Sequence, residues 1–287
     1  MRGRYRRHRD RSSARCRRIR SWDFEGAAAT KRHVYPVLFR VGEVAIYSYG
    51  VMMIAALGVG FVAVLLAALR LRYSVAAAAV MGCLIPLPML LGAKVGWWLI
   101  NSEQISPETG WMSGGLSLTA GLLVALACAA LVTLAFKQPV GASLDVAVIG
   151  LASAVSVGRL GCFLAGCCFG KPTELPWGLV FSASPLVPEA FHGLPLHPTQ
   201  LYLLAAFGLL AVALAWRGVR RRFAGELTLV AVAVHGLVSV FDPFVRYSET
   251  APSVGSRIGW AAVVVIAIAL VMVLARRQSR VTAARPP

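Results

Sequence analysis

The chain has 287 residues, of which 58% are hydrophobic and only 14% charged, with 29 Lys and Arg against 12 Asp and Glu. Soluble domains carry about 25% charged and about 45–50% apolar residues, so a soluble enzyme, a disordered chain and a fibrous chain are all disfavoured. The composition fits an all-α, polytopic transmembrane helix bundle.

Residues 1–33 form an arm with twelve Lys or Arg and three acids. No apolar core with a small-residue cleavage site follows it, so it does not read as a secretory signal peptide. It reads as a disordered tail, or as sequence ahead of the true start. The basic excess lies in this arm and at helix ends, without a recognition module. That sets a nucleic-acid partner aside and favours anionic lipid head groups.

Seven apolar runs follow, at about 47–69, 75–100, 116–136, 144–166, 198–216, 226–245 and 258–275, the sixth broken by Asp242 and Pro243. A span needs roughly 17–25 residues. The expectation is seven spans within a membrane domain at 34–275, then a basic cytoplasmic tail at 276–287. With the N-terminus outside, the inner loops and tail hold eleven basic residues (Arg70, Arg72, Lys137, Arg217, Arg220, Arg221, Arg222, Arg276, Arg277, Arg280, Arg285) and the outer loops three (Lys171, Arg246, Arg257). Loop charge therefore orients the chain N-out and C-in, against the charge of the arm itself. The longest loop, about 167–197, is rich in Pro and Gly and carries Trp177, Phe181 and Phe191. It falls outside, as a cover over a site at the membrane surface or as a plain connector.

The fourth run ends in Gly158-Arg159-Leu160-Gly161-Cys162-Phe163-Leu164-Ala165-Gly166-Cys167-Cys168-Phe169-Gly170-Lys171-Pro172-Thr173. Glycines at 158, 161, 166 and 170 allow a ligand or helix to approach the backbone closely. A cation such as Arg159 costs about 2.5–3.5 kcal/mol near the bilayer centre unless it finds an anion or water. The planar guanidinium fork matches the oxygens of a lipid phosphate; snorkelling to the interface is the plain alternative. Lys94, in Gly92-Ala93-Lys94-Val95-Gly96-Trp97, is a second cation inside an apolar run.

The fifth run opens with His197-Pro198-Thr199-Gln200-Leu201-Tyr202. Proline and threonine suit a helix start, but four polar side chains exceed what capping requires. Tyr49 begins the first run, where an aromatic belt also explains it. Cys83 and Cys128 lie in apolar runs and read as small core residues. Cys162, Cys167 and Cys168 lack the C-x-x-C spacing of common zinc and redox motifs. With His197 they remain open as a metal or thiol site.

In this order the segments resemble the prolipoprotein diacylglyceryl transferase family of bacterial inner-membrane enzymes, from about Pro36 to Val273. Pro36-Val37-Leu38-Phe39 with Tyr49-Gly50-Val51-Met52 resembles the family's opening. The Lys94 motif, with Lys in place of Arg, the Arg159 signature and the His197 hexapeptide resemble three more. The resemblance implies seven multi-pass spans and transfer of diacylglyceryl from phosphatidylglycerol to the lipobox Cys thiol of a preprolipoprotein. It implies neither metal nor soluble cofactor. Arg159, His197 and Tyr49 become the expected catalytic groups. Arg159, Lys94, Gly158, Gly161, Gly170, Gln200, Tyr202 and Thr119 become the expected substrate contacts. The departures are Thr119 where a catalytic His is usual, Cys162 for Asn, Cys167 for Glu and Leu203 for Glu. In the sixth run Asp242 stands near a usual Glu, and a usual Arg has no evident counterpart. A different acceptor for the same lipid, or a non-catalytic lipid-binding protein, remains an alternative.

Overall fold

The computed structural model describes residues 35–100, 117–181, 186–247 and 254–283. The basic arm and the Trp111–Leu116 stretch before the third run lie outside the described residues. A short antiparallel hairpin, β1 (Val37–Val41) and β2 (Val44–Tyr47), leads into α1 (Ser48–Leu71). The hairpin is an addition to the expected all-helical chain. Its two-residue turn places Gly42 at φ +58°, as a turn matching strand twist requires. Ser48 then donates from its backbone N–H to Pro36 O at 3.0 Å, fastening the hairpin to the start of α1.

A helix lies on each of the seven apolar runs. The second run is two helices, α2 (Val75–Leu84) and α3 (Pro86–Ile100). They meet at Pro86, which lacks an N–H for the carbonyl one turn earlier. Then come α4 (Leu118–Ala135), α5 (Val140–Ala165), α6 (Thr199–Gly218), α7 (Glu226–Val245) and α8 (Val254–Ala283). Five stretches, 48–71, 75–99, 140–165, 199–218 and 226–245, are long and apolar enough to cross a bilayer, with a shorter apolar one at 259–275. The protein is a polytopic helical membrane bundle. The sixth run is not broken where the sequence suggested. Pro243 sits in the last turn of α7, where losing one backbone bond leaves the helix intact.

The core is the crossing of α1, α5 and α6, around Val64, Val146, Ile149, Phe207 and Leu214. The α1–α5 contact is close because both helices present glycine there. A Cβ at Gly150 would stand 2.2 Å from Val64 Cγ2 and 2.9 Å from the Gly60 carbonyl oxygen. Small residues let backbones approach where lipid offers no hydrophobic drive. Leu209, Val212 and Trp216 of α6 and Ile54 of α1 stay exposed. Such apolar faces are what lipid covers.

One end of α5 is locked by charge. Asp145, fully buried, accepts from Gly225 N (2.8 Å), Thr228 N (3.0 Å), Thr228 Oγ1 (3.0 Å) and Arg221 (3.3 Å). It thereby satisfies free N–H groups at the start of α7. Glu226 beside it holds Arg217 at 2.6 Å and the Arg222 backbone N–H. The opposite end of α5 carries the candidate site.

Candidate site at the carboxyl end of the fifth helix

The site begins with how α5 stops. Gly166 takes a left-handed conformation, φ +74°, and its N–H donates to Phe163 O at 3.1 Å. The next N–H, of Cys167, reaches back to Cys162 O at 3.1 Å. This pair of bonds is a Schellman helix end, and it returns residue 167 to residue 162. Cys168 follows at φ +59°, a conformation costly for a residue with a Cβ. The result gathers three sulfurs, Cys162, Cys167 and Cys168, all within 4.8 Å of one another. All three are free thiols, half-buried.

The start of α6 fixes this turn from the other side. Thr199 Oγ1 donates to Cys168 O at 2.6 Å and Gln200 Nε2 to Cys167 O at 2.7 Å. Both side chains are buried, and Gln200 Oε1 has no partner among the described residues. The polar excess of the His197 hexapeptide is thus partly explained: two of its side chains hold the cysteine turn.

The end of α7 closes the third side. Lys171 N donates to Val245 O at 2.8 Å, Tyr247 N to Phe169 O at 3.3 Å, and Gly170 N to His197 O at 2.9 Å. Gly170 is wedged among these strands. A Cβ there would meet His197 Cβ at 2.4 Å and Val245 O at 2.6 Å. Lys171 Nζ donates to the Pro243 and Phe244 carbonyls, at 3.0 and 3.2 Å, completing the end of α7. Beneath the loop, Phe169, Phe181, Val187 and Leu196 form a second apolar cluster. Phe169 stacks on Tyr247 with centroids 5.7 Å apart. The described parts of the long loop are therefore packed rather than slack.

Arg159 lies one turn before Cys162 and is half-buried. Among the described residues its guanidinium has no carboxylate partner; the ion pairs belong to Arg217, Arg221 and Arg246. Its charge falls on Cys162, Cys168, Tyr49 and His235. Gly158 and Gly161 turn to α1: a Cβ at Gly161 would lie 2.9 Å from Met52 Cβ and 3.7 Å from the Tyr49 ring. That close approach brings Tyr49 beside the thiols. Tyr49, Gly50, Pro36, Tyr47, Ala165, Cys167 and Leu186 line a cavity of about 550 Å³.

A second guanidinium faces the thiols, and it was missed in the sequence. Arg246 pairs with Asp242 at 3.4 Å and also bears on Cys168. In the sequence it is only one outer-loop charge; the fold of α7 against α5 delivers it. Hydrogen bonds from the Cys162 and Cys167 thiols, then the charges of Arg246 and Arg159, hold the Cys168 thiol well below its ordinary value, against burial. Hydrogen bonding within the trio, first with Cys162, holds Cys167 well above it.

The remaining expected groups are distributed around this centre. His197 Nδ1 stands 3.2 Å from Tyr202 Oη, which accepts from Trp177 Nε1 at 2.8 Å. Burial first, then the charge of Lys171, hold His197 below its ordinary value, so the ring is neutral at pH 7. Lys94 lies over Trp97, 5.6 Å from the ring centroid, on the α3–α4 pair. Thr119 is in the first turn of α4, with its side chain outside the described residues.

The family model described as prolipoprotein diacylglyceryl transferase matches residues 36–275. The phosphatidylglycerol–prolipoprotein diacylglyceryl transferase of Clostridium tetani is 32% identical over 228 residues, covering 74% of this chain and 85% of the relative. The protein of the same name from Wolbachia sp. subsp. Drosophila simulans is 30% identical over 229 residues, covering 74% and 81%. That of Geobacter sulfurreducens is 28% identical over 223 residues, covering 75% and 83%.

Proposed function

Because the chain belongs to the prolipoprotein diacylglyceryl transferase family, we propose that it transfers diacylglyceryl from phosphatidylglycerol to the lipobox cysteine thiol of a preprolipoprotein. The observation that carries the reading is Arg159: a half-buried guanidinium in a membrane helix, without a carboxylate partner among the described residues, on the helix whose last residue, Ala165, lines the cavity. A half-buried cation in a membrane helix with no carboxylate to pair is held at a cost, which a lipid phosphodiester relieves.

Arg159 and Arg246 hold the phosphodiester from two sides and take up charge as glycerol phosphate departs. Tyr49, Gln200 and Tyr202 line the head-group side, with the orphan Gln200 Oε1 accepting from a glycerol hydroxyl. Gly158, Gly161 and Gly170 bring α1, α5 and the loop close enough to form the recess. Lys94 and Thr119, on the neighbouring α3–α4 pair, meet the same lipid. A thiol attacks only as thiolate. His197, neutral at pH 7, is the base that we assign to the acceptor. The setting is the bacterial inner membrane, with seven spans, N-terminus outside and C-terminus inside. We assign no catalytic role to the basic arm (1–33) or tail (276–287), whose charge suits anionic lipid.

Purified protein, phosphatidylglycerol and a lipobox peptide should give a thioether-linked lipopeptide, detected by mass spectrometry. Glycerol phosphate released without modified peptide would show the same lipid pocket serving another acceptor, a reading that the Thr119 departure favours. Neither product, under conditions where the Clostridium tetani relative is active, would overturn the proposal.

A further inference from the structure

Three thiols occupy the centre of the site, and the transferase reading assigns them no role. Their arrangement is built. A Schellman helix end folds Cys167 onto Cys162, and a left-handed Cys168 adds the third sulfur. Buried Thr199 and Gln200 clamp the carbonyls of both loop cysteines. Ordinary thiols need none of this, and a left-handed cysteine at a site is stored strain awaiting a reason.

We propose that Cys162, Cys167 and Cys168 form a three-thiolate zinc site whose fourth position receives the acceptor thiol. Zinc binds thiolate at about 2.3 Å, so tetrahedral ligands stand about 3.8 Å apart. The three sulfurs, within 4.8 Å of one another, need a contraction no larger than a side-chain adjustment. The absence of C-x-x-C is no obstacle, because the helix end performs the reversal that such a motif performs in a loop. His197 is not a ligand: its ring turns to Tyr202, and the cluster contains the three sulfurs without it.

Charge and access agree. Three thiolates on a divalent ion leave one net negative charge; Arg159 stands one turn before Cys162 on α5, and Arg246 is bridged to Gly170, two residues past Cys168. Cys167 lines the 550 Å³ cavity, so an ion held by the three sulfurs would border the space open to substrate. Three protein ligands with one open position is the pattern of catalytic rather than structural zinc. Four-thiolate or thiolate–imidazole sites that close the shell would be inert here.

The chemistry answers the departure at Thr119. A thiol that coordinates zinc is deprotonated outright. Its proton passes to His197 and then to solvent. The sulfur attacks the glyceryl carbon bearing the phosphate; the S–C bond forms as the C–O bond breaks, and glycerol phosphate leaves with the electron pair. No oxidant or reductant is involved. This catalytic step rests on the transferase reading; the metal site itself does not.

The test uses full-length protein purified in detergent after growth with zinc, and again after exchange with cobalt(II). One zinc per chain is expected, and the cobalt form should show a thiolate-to-metal charge-transfer band. Cys162→Ser, Cys167→Ser and Cys168→Ser should each lower zinc affinity, and Gln200→Ala, which loosens the clamp, by roughly 10–100-fold. Cys83→Ser and Cys128→Ser, outside the site, should leave both metal and band unchanged. Zinc should also protect the three thiols, and not Cys83, from maleimide, a readout that does not require the serine variants to fold. Protein without stoichiometric zinc, a band surviving the triple serine variant, or a disulfide among the three in protein isolated under reducing conditions would overturn the site. Zinc bound but dispensable for lipopeptide formation after chelation would overturn its catalytic use alone. Zinc bound with no lipid product of any kind would sink the transferase reading and leave the site standing.

Discussion

Arg159→Ala is expected to reduce diacylglyceryl transfer by about 10²–10³-fold, the cost of deleting one preorganised donor to a developing anion. The side chain has no ion pair among the described residues, so its loss breaks no internal salt bridge. The thermal midpoint should therefore stay near wild type while the rate collapses. Arg159→Lys should recover part of the rate, because the charge returns without the planar fork. Initial rates of lipopeptide formation, with thermal midpoints on the same preparations, check both. A wild-type rate for Arg159→Ala would remove the guanidinium from the mechanism.

Asp145→Ala should have the largest effect on stability. The carboxylate accepts four donors while fully buried, and its removal strands the Gly225 and Thr228 N–H groups and the Arg221 charge. Breaking a buried ion pair by deleting one partner costs about 3–5 kcal/mol. That corresponds to a thermal midpoint lower by something on the order of 10 °C. Asp145→Asn, which keeps some acceptors, should fall between. Fourteen residues of helix separate Asp145 from Arg159, about 21 Å along the axis. Transfer per folded molecule at low temperature should thus be preserved. A midpoint unchanged in Asp145→Ala would show that the junction of α5 and α7 is held by packing alone.

These two residues illustrate what a linear reading can reach. The helices were legible because apolar length is a local property, and every run became a helix. The hairpin at 37–47 was not, since its alternating residues abut the first run without a strong turn signal beyond Gly42. Arg159 stood out because a cation within an apolar run is anomalous wherever the chain goes. Asp145 and Arg246 did not, because their meaning comes from partners 76–83 residues away for the first and from the docking of α7 on α5 for the second. The polar hexapeptide at 197–202 was noticed, yet the work of Thr199 and Gln200 lies on the carbonyls of Cys167 and Cys168. No spacing rule announces the three sulfurs, since a glycine-terminated helix rather than a loop motif assembles them.

Complementation tests the central claim most directly. A bacterium depleted of its own transferase should regain growth and diacylglyceryl-modified lipoproteins when it expresses this chain, and should regain neither with Arg159→Ala made to the same level in the membrane. Equal rescue by the two, or unmodified lipoproteins accumulating despite abundant wild-type protein, would contradict the account.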